Sequence, residues 1–153
     1  MEAKIQQLLD EREIINVVNT MATSYDQGEW DRMRSCLPEN FTLDVTSFVG
    51  GEVLELKPDK LIEMWSAVRS NLDNVQHMLT NHKVTIDGDK ADIFCYIQST
   101  QWLKTEEKFY KRKVQGSYTH KMIKTKAGWK IKKFIFQFEK MSGDPNFPQK
   151  KKN

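Results

Sequence analysis

Residues 76–91 read QHMLTNHKVTIDGDKA, and this stretch opens the part of the chain that sets the fold. Val84 and Ile86 alternate with polar residues, which predicts a strand, and the following Asp-Gly-Asp predicts a turn. Four long strands in meander order fit the chain from about Gln76 to Lys140. Polar stretches separate them at 87–89, 104–108 and 126–128. The second half of the chain is therefore predicted to form a large antiparallel sheet.

The last of these strands changes its buried face near Lys132. Trp129 and Ile131 share one parity, whereas the following phenylalanines take the other: Phe134, Phe136 and Phe138. Because side chains alternate strictly along a regular strand, such a change predicts a β-bulge or a sharp bend. A bulge at this place is expected in a strongly curved sheet.

Helices are predicted before the sheet. Apolar residues recur at helical spacing from Ile14 to Tyr25, and Gly28 supplies a left-handed cap that ends this helix. Asp10 and Glu13 have the spacing of a capping box. This spacing predicts that a short leading helix gives way to a second helix at Asp10.

Shorter elements link this helix to the sheet. A short helix that carries Trp30 is predicted to end before Pro38. Alternation over 41–45 predicts a strand, and Gly50-Gly51 can supply the positive φ angles of a hairpin turn to a second short strand. Pro58 suits the first turn of a third substantial helix.

The composition indicates one globular domain over residues 1–142, followed by a basic tail over 143–153. The 153 residues have a formal net charge of +3. Removing Lys150, Lys151 and Lys152 leaves equal numbers of basic and acidic residues. The folded body is therefore expected to be nearly neutral.

Several classes of protein are disfavoured. No apolar run approaches the roughly 20 residues that cross a bilayer, and charged Glu2 and Lys4 stand where a secretory signal would begin its apolar segment. A cytoplasmic location without membrane contact is expected. Cys36 and Cys95 match no metal-type spacing and are interpreted as buried core residues. No metal site is predicted.

Residues 104–133 carry eleven Lys and Arg residues against only Glu106 and Glu107. The main interpretation is a solvated outer face of the sheet. Contact with an anionic substrate, such as a coenzyme A ester, is a second possibility. Binding to nucleic acid ranks third, because the basic residues are not interleaved with stacking aromatic residues in a known motif.

Four local motifs carry a resemblance to a known family. They are Tyr25-Asp26-Gln27-Gly28-Glu29-Trp30-Asp31, the stretch 76–91, Gly116-Ser117-Tyr118 and Gly128-Trp129-Lys130-Ile131. In this order they resemble the SnoaL-like polyketide cyclase and dehydratase branch of the nuclear-transport-factor-two-like superfamily, which includes scytalone dehydratase, ketosteroid isomerase and bile-acid dehydratase. The resemblance covers residues 10–140. It implies an α+β fold, a cystatin-like cone in which N-terminal helices pack on a strongly curved antiparallel sheet.

The resemblance also implies a catalytic pair, Asp26 and His77, inside the cone. A carboxylate that receives the Nδ1 proton of a histidine leaves Nε2 free to act as a base. An acidic residue in the last turn of a helix faces the negative end of the helix dipole, at a cost of roughly 0.3–1 kcal/mol, which a protonated histidine would offset. The alternatives are a solvated Asp26 and a role for His82 instead of His77.

The proton donor is not identified by the motifs. Met21 stands where related dehydratases often carry a tyrosine, and Phe136 and its neighbours stand where some carry an arginine on the last strand. The candidate donors are Tyr25, Tyr96, Tyr118 and His120. Aromatic residues that could wall a cavity are Trp65, Phe94, Tyr96, Trp102, Phe134, Phe136 and Phe138. The predicted ligand-binding residues are Tyr25, Trp65, Tyr96, Tyr118, His120 and Phe136.

The sequence therefore suggests a dehydratase or isomerase that needs no cofactor and acts on an apolar or cyclic carbonyl compound. The rival is a noncatalytic domain of the same fold that binds a small ligand or a protein partner. The loss of the tyrosine at Met21 and of the last-strand arginine favours the rival. The resemblance further implies a homodimer that pairs through the open face of the sheet.

Overall fold

The larger helices and the strands follow one another in the predicted order in the computed structural model, which describes residues 1–144 and 146–148. The helices are α1 (Glu2–Gln27), α2 (Trp30–Ser35), α3 (Thr46–Val49) and α4 (Pro58–Ser70). The strands are β1 (Phe41–Asp44), β2 (Leu54–Leu56), β3 (Asn74–Asp87), β4 (Lys90–Lys104), β5 (Phe109–Thr125) and β6 (Gly128–Gly143). The fold class is α+β, and the predicted four-stranded meander is β3 to β6.

The six strands form one sheet in the order β2-β1-β6-β5-β4-β3. Neighbouring strands are antiparallel except β1 and β6, which run parallel, with Leu43 opposite Phe134. The sequence did not predict where the short pair β1–β2 would join the sheet. Phe41 and Leu43 are fully buried beside β6, and this burial accounts for the position of β1.

Three register shifts interrupt the long strands, and one of them lies at Glu139 near the end of β6, between the pairs Gln115–Lys140 and Gly116–Phe138. In β6, Lys133 pairs with Lys121 and Ile131 pairs with Met122, so Lys132 is the extra residue and the predicted bulge is confirmed. A further bulge in β3, which was not predicted, lies at Asn81, whose φ angle is 58°. Asparagine tolerates this left-handed conformation better than most residues.

The bulge at Asn81 changes which residues of β3 face the helices. Before it, Val75, His77 and Leu79 are the more buried positions, whereas after it the pattern shifts by one residue. The less exposed positions are then His82, Val84 and Ile86. His77 and His82 therefore lie on the same side of the sheet, although simple alternation places them on opposite sides.

The predicted break in the first helix is wrong, because α1 continues through Asp10 without interruption. Both acidic side chains of the proposed capping box bind the β5–β6 hairpin instead. Asp10 accepts hydrogen bonds from Lys124 Nζ at 2.9 Å and from the indole N–H of Trp129 at 3.0 Å. Glu13 accepts one from the backbone N–H of Trp129 at 2.9 Å. The carboxylates thus fasten α1 to the sheet.

The predicted caps at Gly28 and Pro58 are confirmed. Gly28 has a φ angle of 70° and ends α1, and Pro58 opens α4. The predicted hairpin turn at Gly50-Gly51 is wrong in detail, because the short helix α3 lies between the antiparallel strands β1 and β2. Ser47 in α3 donates a hydrogen bond to the carbonyl of Phe136 at 2.7 Å, which holds this connection against β6.

A continuous apolar core lies between α1, α2, α4 and the inner face of the sheet. Cys36 and Cys95 are buried free thiols within it, as predicted. Most basic side chains of residues 104–133 are exposed or partly exposed, which agrees with a solvated outer face. Lys150, Lys151 and Lys152 of the predicted tail lie outside the described residues.

Candidate active site

A cavity of about 230 Å³ opens between the helices and the inner face of the sheet. Its helix side and its β6 side are apolar, and the residues there include Met21, Val45, Trp65, Val68, Phe134 and Phe136. Its polar groups come mainly from β3, β4 and β5: His77, Ser99, Gln101 and Tyr118. Tyr25 adds a further hydroxyl from α1. A largely apolar hollow with a few polar groups is the usual form of a small-molecule site.

Asp26 and His77 are in direct contact at the wall of this cavity. Oδ1 of Asp26 lies 2.5 Å from Nδ1 of His77, and Oδ2 accepts a hydrogen bond from the backbone N–H of His77 at 2.7 Å. Both side chains are 13% exposed. Because a carboxylate only accepts hydrogen bonds, Nδ1 carries the proton of this contact.

The end of α1 fixes the position of Asp26. The helix stops two residues later at Gly28, so the Asp26 side chain projects from the last turn towards β3. The guanidinium of Arg69 in α4 donates to the backbone carbonyl of Asp26 at 3.1 and 3.3 Å. A cation at a helix C-terminus offsets the negative end of the dipole. Arg69 thus offsets the predicted electrostatic cost of Asp26 at the helix end.

Nε2 of His77 is free to act towards the cavity. It makes no hydrogen bond within residues 1–144 and 146–148, and His77 is one of the lining residues. The ring of Tyr25 packs edge-on against the imidazole at a centroid distance of 5.5 Å. The imidazole is therefore held by a carboxylate on one side and an aromatic ring on another, with its second nitrogen available.

Two tyrosines that line the cavity have hydroxyls that stay protonated at neutral pH. Burial raises the pKa of Tyr25 to about 12, and burial also raises the pKa of Tyr118 well above its ordinary value. Both residues line the cavity. A neutral phenol in this position can donate a proton or a hydrogen bond to a bound molecule.

Four of the six predicted ligand-binding residues line the cavity: Tyr25, Trp65, Tyr118 and Phe136. Tyr96 was predicted to bind the ligand, but it does not line the cavity. It is 50% exposed and packs against Phe94 on the outer face of the sheet, because even-numbered residues of β4 point away from the helices.

His120 was also predicted to bind the ligand, but it is buried behind the cavity wall and does not line the cavity. Its ring stacks on Tyr118 and lies against Phe134, and its Nδ1 accepts the backbone N–H of Ile135 at 3.0 Å. Trp102 and Phe138 are likewise absent from the lining residues of this cavity. His82, the alternative base, lies 3.1 Å from the side-chain oxygen of Asn19 through its Nε2.

Sequence reasoning missed Ser99, Gln101 and Arg112. Ser99 pairs with His77 across β3 and β4, and Gln101 pairs with Arg112 across β4 and β5. Arg112 belongs to the basic stretch that was interpreted as an outer face, yet its even position in β5 places it on the side of Val114 and Tyr118. The parity of that strand was a signal available in the sequence.

The described residues hold no cluster of three or more His, Cys, Asp or Glu side chains with metal-binding geometry. Over the same residues, every helix is too short or too polar to span a bilayer.

A protein-family model described as a SnoaL-like domain matches residues 6–135. No curated protein matches the sequence. A solved structure from Kribbella flavida is similar with a TM-score of 0.85 and 23% identity, covering 89% of this chain and 95% of that one.

Two similar solved structures have enzyme names. A scytalone dehydratase-like protein from Novosphingobium aromaticivorans has a TM-score of 0.78 and 11% identity, covering 91% of this chain and 90% of that one. A hexachlorocyclohexane dehydrochlorinase from Novosphingobium barchaimii has a TM-score of 0.78 and 14% identity, covering 93% and 94%. At these identities the likeness establishes a common fold.

Proposed function

Since this chain belongs to the SnoaL-like domain family, we propose that it is a cofactor-independent dehydratase or isomerase that acts on a cyclic carbonyl compound. One observation carries the proposal: Asp26 holds Nδ1 of His77 at 2.5 Å while Nε2 is free at a largely apolar cavity. An imidazole held in this way is suited to remove a proton from carbon.

In the proposed reaction, Nε2 of neutral His77 takes a proton from the carbon next to the carbonyl. The electron pair of the broken C–H bond forms a double bond to the carbonyl carbon, and the π electrons of the carbonyl move to its oxygen, which gives an enolate. Asp26 stabilises the imidazolium that forms. In an isomerase, His77 returns the proton to a different carbon. In a dehydratase, a hydroxyl on the neighbouring carbon leaves, and with one proton it becomes water.

Tyr25 and Tyr118 are the proposed donors for the second half of the reaction. Their raised pKa values keep both hydroxyls protonated at neutral pH. Either hydroxyl could stabilise the enolate oxygen or protonate the leaving hydroxyl. The names of two structural neighbours, a dehydratase and a dehydrochlorinase, both describe eliminations, and this supports an elimination here.

A noncatalytic ligand-binding domain is the alternative, and the composition of the cavity wall favours it. Met21 lines the cavity, where the family resemblance leads us to expect a tyrosine donor, and the last-strand residues that line it, Phe134 and Phe136, carry no polar group. A chain that binds cyclic ketones without exchanging their protons would fit this alternative.

The test is hydrogen–deuterium exchange next to the carbonyl of cyclic ketones in deuterium oxide, followed by proton NMR. A panel of cyclohexanone, α-tetralone and chromanone samples the ring sizes. We expect the wild-type protein to accelerate exchange of at least one ketone. His77→Ala should lower that rate by roughly 10²–10⁴-fold, the usual contribution of a general base.

His82→Ala is the matched control, because His82 lies on the same strand and the same side of the sheet but contacts Asn19. Its exchange rate should equal that of the wild type. An equal rate for His77→Ala and the wild type would refute the proposal. Binding of a ketone without any exchange would favour the noncatalytic alternative.

We also propose that two copies pair through the outer face of the sheet. Apolar side chains are exposed there on adjacent strands, including Met78 and Tyr96, which are 51% and 50% exposed. Pairing would remove this apolar area from water.

A further inference from the structure

The side-chain amide of Gln101 has a fixed orientation. Nε and Nη2 of Arg112 lie 2.9 and 2.5 Å from Oε1 of Gln101. A guanidinium has donors but no acceptor, so the oxygen of the amide must face Arg112. The amide NH2 group therefore points away from Arg112, and Gln101 is one of the residues that line the cavity.

The NH2 group of Gln101 makes no hydrogen bond within residues 1–144 and 146–148. It is thus a pair of N–H donors available to a bound molecule. The adjacent residue on the same face of β4 is Ser99, which also lines the cavity.

Ser99 is only 4% exposed, and its hydroxyl has no hydrogen-bond partner in the described part of the chain. A buried polar group without a partner is destabilising, so native structures rarely contain one without a functional or structural reason. Ser99 lies directly opposite His77 in the register of β3 and β4. An unpartnered hydroxyl therefore stands beside the proposed base.

Arg112 is held in place by contacts outside the cavity lining. Its guanidinium lies 4.5 Å from the centroid of the Phe147 ring, which is a cation–π contact. No carboxylate pairs with Arg112 within the described residues. Its hydrogen bonds go to Gln101, and a charged donor on the amide oxygen polarises the amide and strengthens its N–H groups as donors.

We propose that Ser99 and Gln101 form an oxygen-binding site for the carbonyl of the ligand, and that Arg112 is the positioning residue that orients Gln101. The ligand class that fits is a neutral ring ketone whose oxygen lies against β4. This inference rests on the proposed function for its assignment of the reacting carbon to His77. The same donors would stabilise the enolate oxygen as negative charge develops there.

The test compares α-tetralone with tetralin, the hydrocarbon of the same ring shape without the carbonyl oxygen, by isothermal titration calorimetry. Wild-type protein should bind α-tetralone more tightly than tetralin. Gln101→Glu keeps the acceptor for Arg112 but removes the N–H donors. We therefore expect an unchanged or higher melting temperature and a loss of about tenfold in affinity for α-tetralone alone.

Arg112→Met tests the positioning role. Without Arg112 the amide of Gln101 can rotate, so the preference for α-tetralone should fall while affinity for tetralin stays constant. Arg112→Lys retains one charged donor and should restore part of the preference. Gln101→Glu should lower the affinity for α-tetralone less in the Arg112→Met background than in the wild type, because the two residues act as a unit.

Equal affinity of the wild type for the two probes, including no binding of either, overturns this inference. An unchanged preference in Gln101→Glu also overturns it. These outcomes are separable from failure of the proposed function. If hydrogen exchange depends on His77 but Gln101→Glu keeps the preference for α-tetralone, only the oxygen-binding site is refuted. If the preference for α-tetralone depends on Gln101 but no hydrogen exchange occurs, only the proposed enzyme activity is refuted.

Discussion

His77 and His120 illustrate how surroundings assign different roles to the same side chain. His77 has a carboxylate on Nδ1 and a cavity beside it. His120 is 1% exposed and lies between aromatic rings, with no partner for Nε2 among the described residues. Burial lowers the pKa of His120 to about 3. His120 is therefore neutral in the folded protein and belongs to the wall behind the cavity.

Because His120 is neutral in the folded protein, the free energy of unfolding should decrease as the pH is lowered. The unfolded chain binds a proton at this position below about pH 6.5, whereas the folded protein does not until about pH 3. Titration of His120 therefore leaves the free energy of unfolding unchanged above about pH 6.5. Below that pH it lowers the free energy of unfolding by roughly 1.4 kcal/mol per pH unit. His120→Gln keeps an acceptor for Ile135 but cannot titrate, so its stability should vary less with pH.

Urea unfolding at pH 8, 7, 6 and 5 measures this difference. The slopes of the wild type and His120→Gln should agree between pH 8 and 7, where His120 is neutral in both states, and this range serves as the internal control. Identical slopes between pH 6 and 5 would contradict the assignment.

At the level of single residues, the sequence predicted Asp26 and His77 only through the family resemblance. Their contact joins a helix end to a strand 51 positions away, and periodicity does not report such distances. Ser99 and Gln101 were missed for the same reason, since cross-strand neighbours depend on register. The error on Tyr96 was avoidable, because alternation of Ile93, Cys95 and Ile97 already marks the even positions of this strand as outward.

The attachment of α1 to the β5–β6 hairpin is the main feature at the scale of elements. Asp10 is a buried carboxylate with three kinds of donor around it: Lys124, Trp129 and Gln6. The hydrogen bond from Lys124 is the main cause that lowers the pKa of Asp10, with a further contribution from Trp129. This carboxylate therefore stabilises the folded state as an anion.

Asp10→Ala should lower the free energy of unfolding by about 1–3 kcal/mol at pH 7, because the buried indole N–H of Trp129 loses its acceptor. The folded pKa lies below the unfolded value of 3.8. The ionic part of the contribution is present above pH 3.8 and is lost as the pH falls through the folded pKa. Denaturant unfolding at pH 7 and pH 3 checks both statements.

Glu11→Gln is the control for this experiment, because Glu11 is the next residue of α1 and makes no hydrogen bond within the described residues. Its effect should be small at both pH values. An effect of Asp10→Ala no larger than that of Glu11→Gln would show that the helix attachment does not depend on Asp10.

Elements were predictable where their signal is local. The bulge at Lys132 is visible as a change of parity among large apolar residues, and Gly28 and Pro58 mark helix ends by their backbone preferences. The parallel pairing of β1 with β6 had no local signal, because it depends on where Phe41 and Leu43 become buried. Asp10 and Glu13 were wrongly interpreted as a capping box, because their actual partners lie more than 100 residues away in the sequence.

On the scale of the whole molecule, the sheet has an inner face with the cavity and an outer face open to water. The α+β class and the curved sheet were predictable, since the order of periodicities and turn signals covers most of the chain. The outer face should pair two copies. Sedimentation velocity should give a dimer for the wild type and a monomer for Tyr96→Asp, which places a charge at the exposed apolar surface.

Leu9→Asp is the matched control for this prediction, since Leu9 is an exposed apolar residue on α1, away from the sheet. It should leave the dimer intact. A wild-type protein that stays monomeric at the highest soluble concentration would rule out the pairing.

The division of the cavity into a polar strand wall and an apolar wall has a consequence for handedness. In the proposed binding mode, the oxygen of a flat ring lies against β4, so its hydrocarbon edge lies on the side of Trp65 and Phe134. His77 then reaches that ring from one direction only. In the proposed reaction, His77 should therefore remove only one of the two hydrogens on a prochiral carbon, and of a racemic ligand only one enantiomer should react.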